Sequence, residues 1–210
     1  MPDAYVYLID DLPTLPTTYL ADNFDRLPLF RREQCLRYRH DSDRLTCLLA
    51  YELLCQGLDA AYGLAPPQAF EYSDSSKPYL PGTPGVFFSI SHCAAVVACA
   101  IGDSELGIDV QDVRPYDSEV AKRACTQDEL TRLAAAPDPG RLFCRLWADK
   151  ESYAKAHGIS VATVLAQVLP NGHIVGWDRG HYHMSLCFRD RIASTCAVDV
   201  VNLTEYLVTG

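Results

Sequence analysis

Residues 86–113 read VFFSISHCAAVVACAIGDSELGIDVQDV. VFFSIS and AVVACAIG are two apolar runs joined by a short polar connection, the pattern of two strands at a tight turn. LGIDVQDV (106–113) is a third short strand, ended by Pro115. Along it Asp109 and Gln111 share one face, and Ile108 and Val110 share the other. A carboxylate inside an apolar strand needs a partner, because an unpaired buried charge is too costly. Asp109 therefore caps a neighbouring element, pairs with an arginine or ligates a metal.

Upstream, AYVYLID (4–10) reads as a strand. A short helix near Thr17–Asn23 and a basic amphipathic helix over Phe30–Tyr38 follow. A longer helix, DRLTCLLAYELLCQGLDAAYG (43–63), repeats leucine at three- and four-residue spacing, with Asp41 or Ser42 as its N-cap. Residues 64–85 are broken by prolines and glycines and read as loop.

Downstream, a helix is expected near Asp117–Ala124. TQDE (126–129) announces another, with Thr126 and Glu129 fitting a capping box. A long helix over Arg141–Ala156 ends at Gly158. VLAQVLP, HIVGW, YHMSLCF and IASTCAVDVVNL supply the last strands. FSISHCAAVVACAIG (from 88) and MSLCFRDRIASTCAV (from 184) both read as strand–turn–strand after a long helix, a faint internal repeat.

With 210 residues the chain is one domain or two small ones. It carries 18 Lys+Arg against 27 Asp+Glu, a net charge of -9, which argues against non-specific nucleic-acid or anionic-membrane binding. The nine cysteines form no CxxC pair, and most sit in apolar runs as small core residues. MPDAYVYLIDD has acids where a secretory signal has bases, so a reducing, cytoplasmic setting is expected. Against the acidic average, Arg26, Arg31, Arg32, Arg37, Arg39 and Arg44 fall close together. They form either a solvated face paired with Glu33, Asp41 and Asp43, or an edge for phosphate or carboxylate.

RLWADKESYAKAHG (145–158) puts Trp147, Glu151 and Lys155 on one helical face, with Lys150 beside it. Glu151 and Lys155 suit an i,i+4 ion pair; equally, Glu151 suits a hard-cation ligand and Lys155 a phosphate contact. Ser89, Ser91 and His92 stand where a strand turns, a place for a bound anion or a plain Ser/His turn. Walker A, GxSxG and GxGxxG sequences are absent.

Taken in order, CLRYRHDSDR (35–44), KPYLPG (77–82), FFSISHC (87–93), LGIDVQDV and RLWADKESYAKAHG resemble the signature series of the Sfp-type 4'-phosphopantetheinyl transferases. The resemblance implies an α/β (α+β) pseudo-dimer of two similar subdomains, each a small, mostly antiparallel sheet packed against helices. It divides the chain into an N-terminal half, 1–105, meeting the coenzyme's phosphates, and a C-terminal half, 106–210, holding metal and catalytic residues. It implies transfer of phosphopantetheine from coenzyme A to a serine of an acyl, peptidyl or aryl carrier protein, with Mg²⁺, by a cytoplasmic monomer without nucleic-acid or membrane partners.

By motif, Asp109, Gln111 and Glu151 resemble the metal-binding set, and Glu151 also the general base. Lys155 resembles the lysine on the coenzyme's pyrophosphate. Arg31, Arg44, Lys77 and His92 resemble residues around its phosphates, with Ser89, Ser91 and Lys150 beside them. Gln111 stands where the family has Glu, Gln34 where a base is expected, and KAHGISVA lacks the family's second glycine and leucine. Gln111 keeps one alternative, a non-catalytic coenzyme A-binding or assembly protein with the same cleft. A further one, a metal-dependent phosphohydrolase, would need an activated water in place of the serine and gives no reason for the full motif series.

Overall fold

The computed structural model describes residues 1–10, 12–74 and 76–205. The chain runs β1 (Ala4–Asp10), α1 (Tyr19–Phe24), α2 (Leu29–Leu36), α3 (Asp41–Tyr62), β2 (Glu71–Tyr72), β3 (Pro78–Tyr79), β4 (Phe87–His92), β5 (Val96–Gly102) and β6 (Leu106–Asp112). It continues through α4 (Ser118–Ala124), α5 (Gln127–Ala135), α6 (Pro139–His157), β7 (Ile174–Arg179), β8 (Tyr182–Phe188) and β9 (Val198–Asn202).

Two sheets carry the architecture, ordered β4-β5-β1-β9 and β6-β8-β7. All their pairings are antiparallel except β1 with β9. The alternation in AYVYLID explains how they stack. Tyr7 and Ile9 join a cluster with Leu48, Leu53, Leu54 and Leu58 of α3. Val6 and Leu8 point the other way, onto Ile108, Val110, Met184 and Leu186 of the second sheet. The far face of that sheet is covered by α6. The layers are thus α3, first sheet, second sheet, α6, with each buried leucine contributing about 1.5–3 kcal/mol.

The internal repeat is real, but its units differ from those the sequence suggested. β1-α3-β4-β5 and β6-α6-β7-β8 have the same connectivity, and the three-strand orders β4-β5-β1 and β7-β8-β6 correspond. The counterpart of the β4-β5 hairpin is therefore β7-β8, one strand earlier than MSLCFRDRIASTCAV. After β8 the chain makes a 3-10 turn at Ala193–Thr195 and crosses to β1, so IASTCAVDVVNL is a strand only over Val198–Asn202.

VLAQVLP forms no strand. Ala166 adopts a positive φ of 54°, Val168 is exposed, and Val164 and Leu165 follow a 3-10 turn. Asp41 and Ser42 lie inside the first turn of α3, whose N-cap is His40. The capping box forms as expected, with Thr126 and Glu129 each accepting from the other's backbone N–H. α6 begins at Pro139, with Asp138 accepting from the Arg141 N–H, and Gly158 closes it in the left-handed conformation at φ 62°.

Candidate active site

The site forms where β4, at the edge of the first sheet, runs beside β6, at the edge of the second. Phe88 and Ile90 of β4 pack toward α3, so Ser89 and Ser91 face β6. Ser89 Oγ accepts from the Ile108 N–H at 3.1 Å, and Ser91 Oγ accepts from the Val110 N–H at 3.3 Å. Two hydroxyls thus serve backbone groups that sheet pairing leaves over. Ser91 also donates to Asp109 Oδ1 at 2.8 Å.

Asp109 is 3% exposed and accepts from three side chains. Besides Ser91, Lys155 Nζ donates to Oδ1 at 2.7 Å and Gln111 Nε2 to Oδ2 at 2.8 Å. Lys155 Nζ further donates to Ser91 Oγ and the Ile108 carbonyl, each at 3.0 Å. The lysine can enter this pocket because α6 touches β6 backbone to backbone. A Cβ on Gly107 would stand 2.2 Å from the Ser152 carbonyl and 2.4 Å from the Ala156 nitrogen. Only glycine fits that approach.

Glu151 lies one turn before Lys155 and is half-buried. Burial pushes its carboxyl up, the Asp109 charge pushes it further, and Lys155 opposes both; no hydrogen bond compensates. Glu151 therefore pairs electrostatically with Lys155 only in part, because the lysine's donors go to Asp109, Ser91 and Ile108. His92 ends β4. Desolvation and Lys155 lower its imidazole, against Asp43 and Asp109. In the first turn of α3 Arg44 donates to Asp41 Oδ1 at 2.8 Å and to the Tyr38 carbonyl at 3.1 Å, and it lines a separate cavity with Leu12, Leu20 and Leu36. Lys77 bonds Glu105 and the Leu106 carbonyl. It lines a cavity of about 610 Å³ with Phe88, Glu105, Arg189 and residues 156–158 at the end of α6.

Two expected site residues are not brought here. Arg31 is buried: its guanidinium donates to Gln34 Oε1 and the Cys47 carbonyl, both at 2.6 Å, and lies over the rings of Tyr51 and Phe70. It joins α2 to α3, and Gln34, the residue in place of an expected base, is part of that bond set. Lys150 is 1% exposed and donates to Glu129 Oε2 at 3.0 Å and the Gln167 carbonyl at 3.1 Å, tying α6 to α5. Sequence reading missed Glu105, which holds Lys77. It also missed Asp149, whose Oδ1 accepts from Ser185 Oγ at 2.7 Å. The Ser185 contact has no signal in spacing, since it depends on strand register.

Among the described residues no group of three or more His, Cys, Asp or Glu could hold a metal. The oxygen donors gathered here are instead two carboxylates, Asp109 and Glu151, and the Gln111 amide. They are hard ligands, and Glu151 is a half-buried carboxyl without a hydrogen bond beside a second carboxylate. That chemistry fits a small hard cation such as Mg²⁺.

Comparison with known proteins converges on one family. The sequence profile of the 4'-phosphopantetheinyl transferase superfamily matches residues 105–209. A Bacillus subtilis 4'-phosphopantetheinyl transferase is 32% identical over 151 residues, covering 69% of this chain and 67% of the relative. The 4'-phosphopantetheinyl transferase Sfp of B. subtilis strain 168 is 32% identical over 131 residues, 61% of this chain and 58% of that protein. An Eremothecium gossypii L-aminoadipate-semialdehyde dehydrogenase-phosphopantetheinyl transferase is 33% identical over 143 residues, 62% of this chain and 51% of its own. The matched segments thus span between about half and two thirds of these relatives. The profile contains β6, α6 and the Asp109, Glu151 and Lys155 side chains they bring together, and so this chain belongs to the 4'-phosphopantetheinyl transferase superfamily, as a member of its Sfp-type branch.

Proposed function

We propose that the protein transfers 4'-phosphopantetheine from coenzyme A to a serine hydroxyl of an acyl, peptidyl or aryl carrier protein, with Mg²⁺. The observation that carries this reading is the Lys155–Asp109–Ser91 network beside a carboxyl, Glu151, that makes no hydrogen bond among the described residues. Family membership supports the chemistry, and the geometry supports an assignment of roles.

Asp109 and Glu151, with the Gln111 amide oxygen, would hold the Mg²⁺, which when bound neutralises negative charge on the coenzyme's pyrophosphate. Asp109 keeps Lys155 at the seam, where its ammonium meets phosphate oxygens as a point charge. Lys77 and His92, at the two ends of this seam, would supply further donors, and Arg44 would meet the coenzyme only by leaving its bonds to Asp41 and the Tyr38 carbonyl. A serine hydroxyl is a weak nucleophile at neutral pH, and Glu151 takes its proton as the new P–O bond forms. The bond to the adenosine 5'-phosphate breaks, and adenosine 3',5'-bisphosphate leaves with the electron pair. A carboxyl pushed up by burial is a better base than an exposed one.

In this reading residues 1–105 supply coenzyme contacts and residues 106–210 the metal and catalytic groups, in a cytoplasmic monomer. The cavity beside Lys77 gives room for part of the coenzyme. Release of adenosine 3',5'-bisphosphate, measured with coenzyme A, Mg²⁺ and apo carrier protein, tests the proposal; release must require the carrier. Gln111 favours one second reading, a protein that binds coenzyme A without turnover. Tight coenzyme binding with no release would support that reading.

A further inference from the structure

Asp149 lies two residues before Glu151 on α6, in a place where a carboxylate is expensive. Its side chain is 23% exposed, and Arg145 Nε stands 4.0 Å from it. Its hydrogen-bond donor is Ser185, a residue 0% exposed on β8. Ser185 is also the register partner of Asp109 across the β6-β8 pair.

Two side-chain bonds therefore run from α6 to neighbouring positions of one strand pair: Asp149 to Ser185, and Lys155 to Asp109. Glu151 sits between their helical ends. The close approach at Gly107 sets how near α6 lies to β6, and Arg141 and Cys144 bond the first half of the helix to the Gly180 and Gln111 carbonyls. The second half, which carries Glu151, depends on side-chain bonds of its own for its rotation. We infer that the Ser185–Asp149 bond is a positioning device that fixes the rotation of α6, and hence where the Glu151 carboxylate stands relative to Asp109. The inference rests on the proposed function in one respect: when Lys155 turns to phosphate, Ser185–Asp149 stays as the side-chain anchor nearest Glu151, the bonds of Cys144 to the Gln111 carbonyl and Arg141 to the Gly180 carbonyl lying nearer the start of α6.

Calorimetric titration of coenzyme A into the full chain, at a series of Mg²⁺ concentrations, tests this alongside steady-state transfer. Removing both partners, as Ser185→Ala with Asp149→Leu, strands no buried polar group, so the thermal midpoint stays near the parent's. The Mg²⁺ concentration for half-maximal coenzyme binding is expected to rise about tenfold, with kcat reduced and the KM for carrier unchanged. Asp149→Asn keeps an acceptor for Ser185 and restores the parent's values. If the double variant does not fold, Ser185→Ala is read directly against Asp149→Asn; equal weakening in those two overturns the inference. A folded double variant with the parent's Mg²⁺ dependence and kcat overturns it alone. A parent that shows neither Mg²⁺-dependent coenzyme binding nor transfer overturns the functional reading, and this inference with it.

Discussion

Lys155 Nζ lies 2.7 Å from Asp109 Oδ1, joining the last turns of α6 to the middle of β6. The aspartate side chain is 4% exposed and the lysine 31%. The carboxylate is thus the drier partner and the lysine side chain the more exposed one. This asymmetry suits a lysine that neutralises its own protein at rest and phosphate in use.

Lys155→Met leaves Asp109 buried with only Ser91 and Gln111 as donors. Folding stability is expected to fall by about 2–4 kcal/mol, since breaking a buried pair strands the remaining charge. Urea denaturation measures it, and an unchanged midpoint would show that the pair carries no stability.

Glu151→Gln separates catalysis from stability. Folding raises the Glu151 carboxyl, so its ionised form opposes the fold. That penalty is absent below the unfolded value of about 4.3 and develops as pH rises through the folded value. In metal-free buffer the variant's thermal midpoint should exceed the parent's at pH 8, and the gap should close toward pH 4. Transfer should drop by about 10²-fold or more. A midpoint difference that does not vary with pH, or near-normal kcat, would refute the assignment.

Lys150→Met distinguishes a packing role for this lysine from a coenzyme contact. The ammonium is buried against Glu129 and the Gln167 carbonyl, so its loss should destabilise by about 3–5 kcal/mol. The KM for coenzyme A in the folded fraction should stay at the parent's value. A selective rise in that KM would return Lys150 to the coenzyme site.

What could be read from the residues alone was whatever depends on near neighbours. The capping box at Thr126, the left-handed Gly158 and the strands AYVYLID, FFSISH and VVACAIG are local, and all are present. Strand and helix periodicity single out Asp109, Glu151 and Lys155 as polar groups sharing a face with few neighbours, and their roles come only from the family resemblance. Arg31 and Lys150 are expected from motif beside the coenzyme's phosphates, and nothing local shows that Tyr51, Phe70, Glu129 and Gln167 lie against them. VLAQVLP is apolar enough to read as a short strand, yet the buried Lys150 takes the Gln167 carbonyl and Ala166 turns left-handed. Both depend on contacts distant in sequence.

Gln111→Glu bears on the family departure. In the parent the amide donates to Asp109 Oδ2. A carboxylate there loses that donor and repels Asp109 unless a cation intervenes. The variant's thermal midpoint should fall in chelator, and its apparent Mg²⁺ affinity should rise. Equal Mg²⁺ affinity in the two forms would remove Gln111 from the proposed metal set.

Gly107→Ala should be the most damaging methyl group in the site region. Its Cβ meets backbone atoms of α6, which cannot swing aside as a side chain tip can. A loss of about 1–3 kcal/mol or more is expected, together with loss of transfer as α6 is lifted from β6. Full activity with an unchanged melting temperature would mean that the helix tolerates displacement.

The central claim is that the Asp109–Lys155 seam and Glu151 serve phosphopantetheine transfer, and intact mass spectrometry of the acceptor tests it most directly. An apo acyl or peptidyl carrier protein incubated with the full chain, coenzyme A and Mg²⁺ should gain about 340 Da on one serine, and Glu151→Gln should abolish most of that gain. A carrier of unchanged mass, in a mixture where coenzyme A binds the protein, would contradict the account.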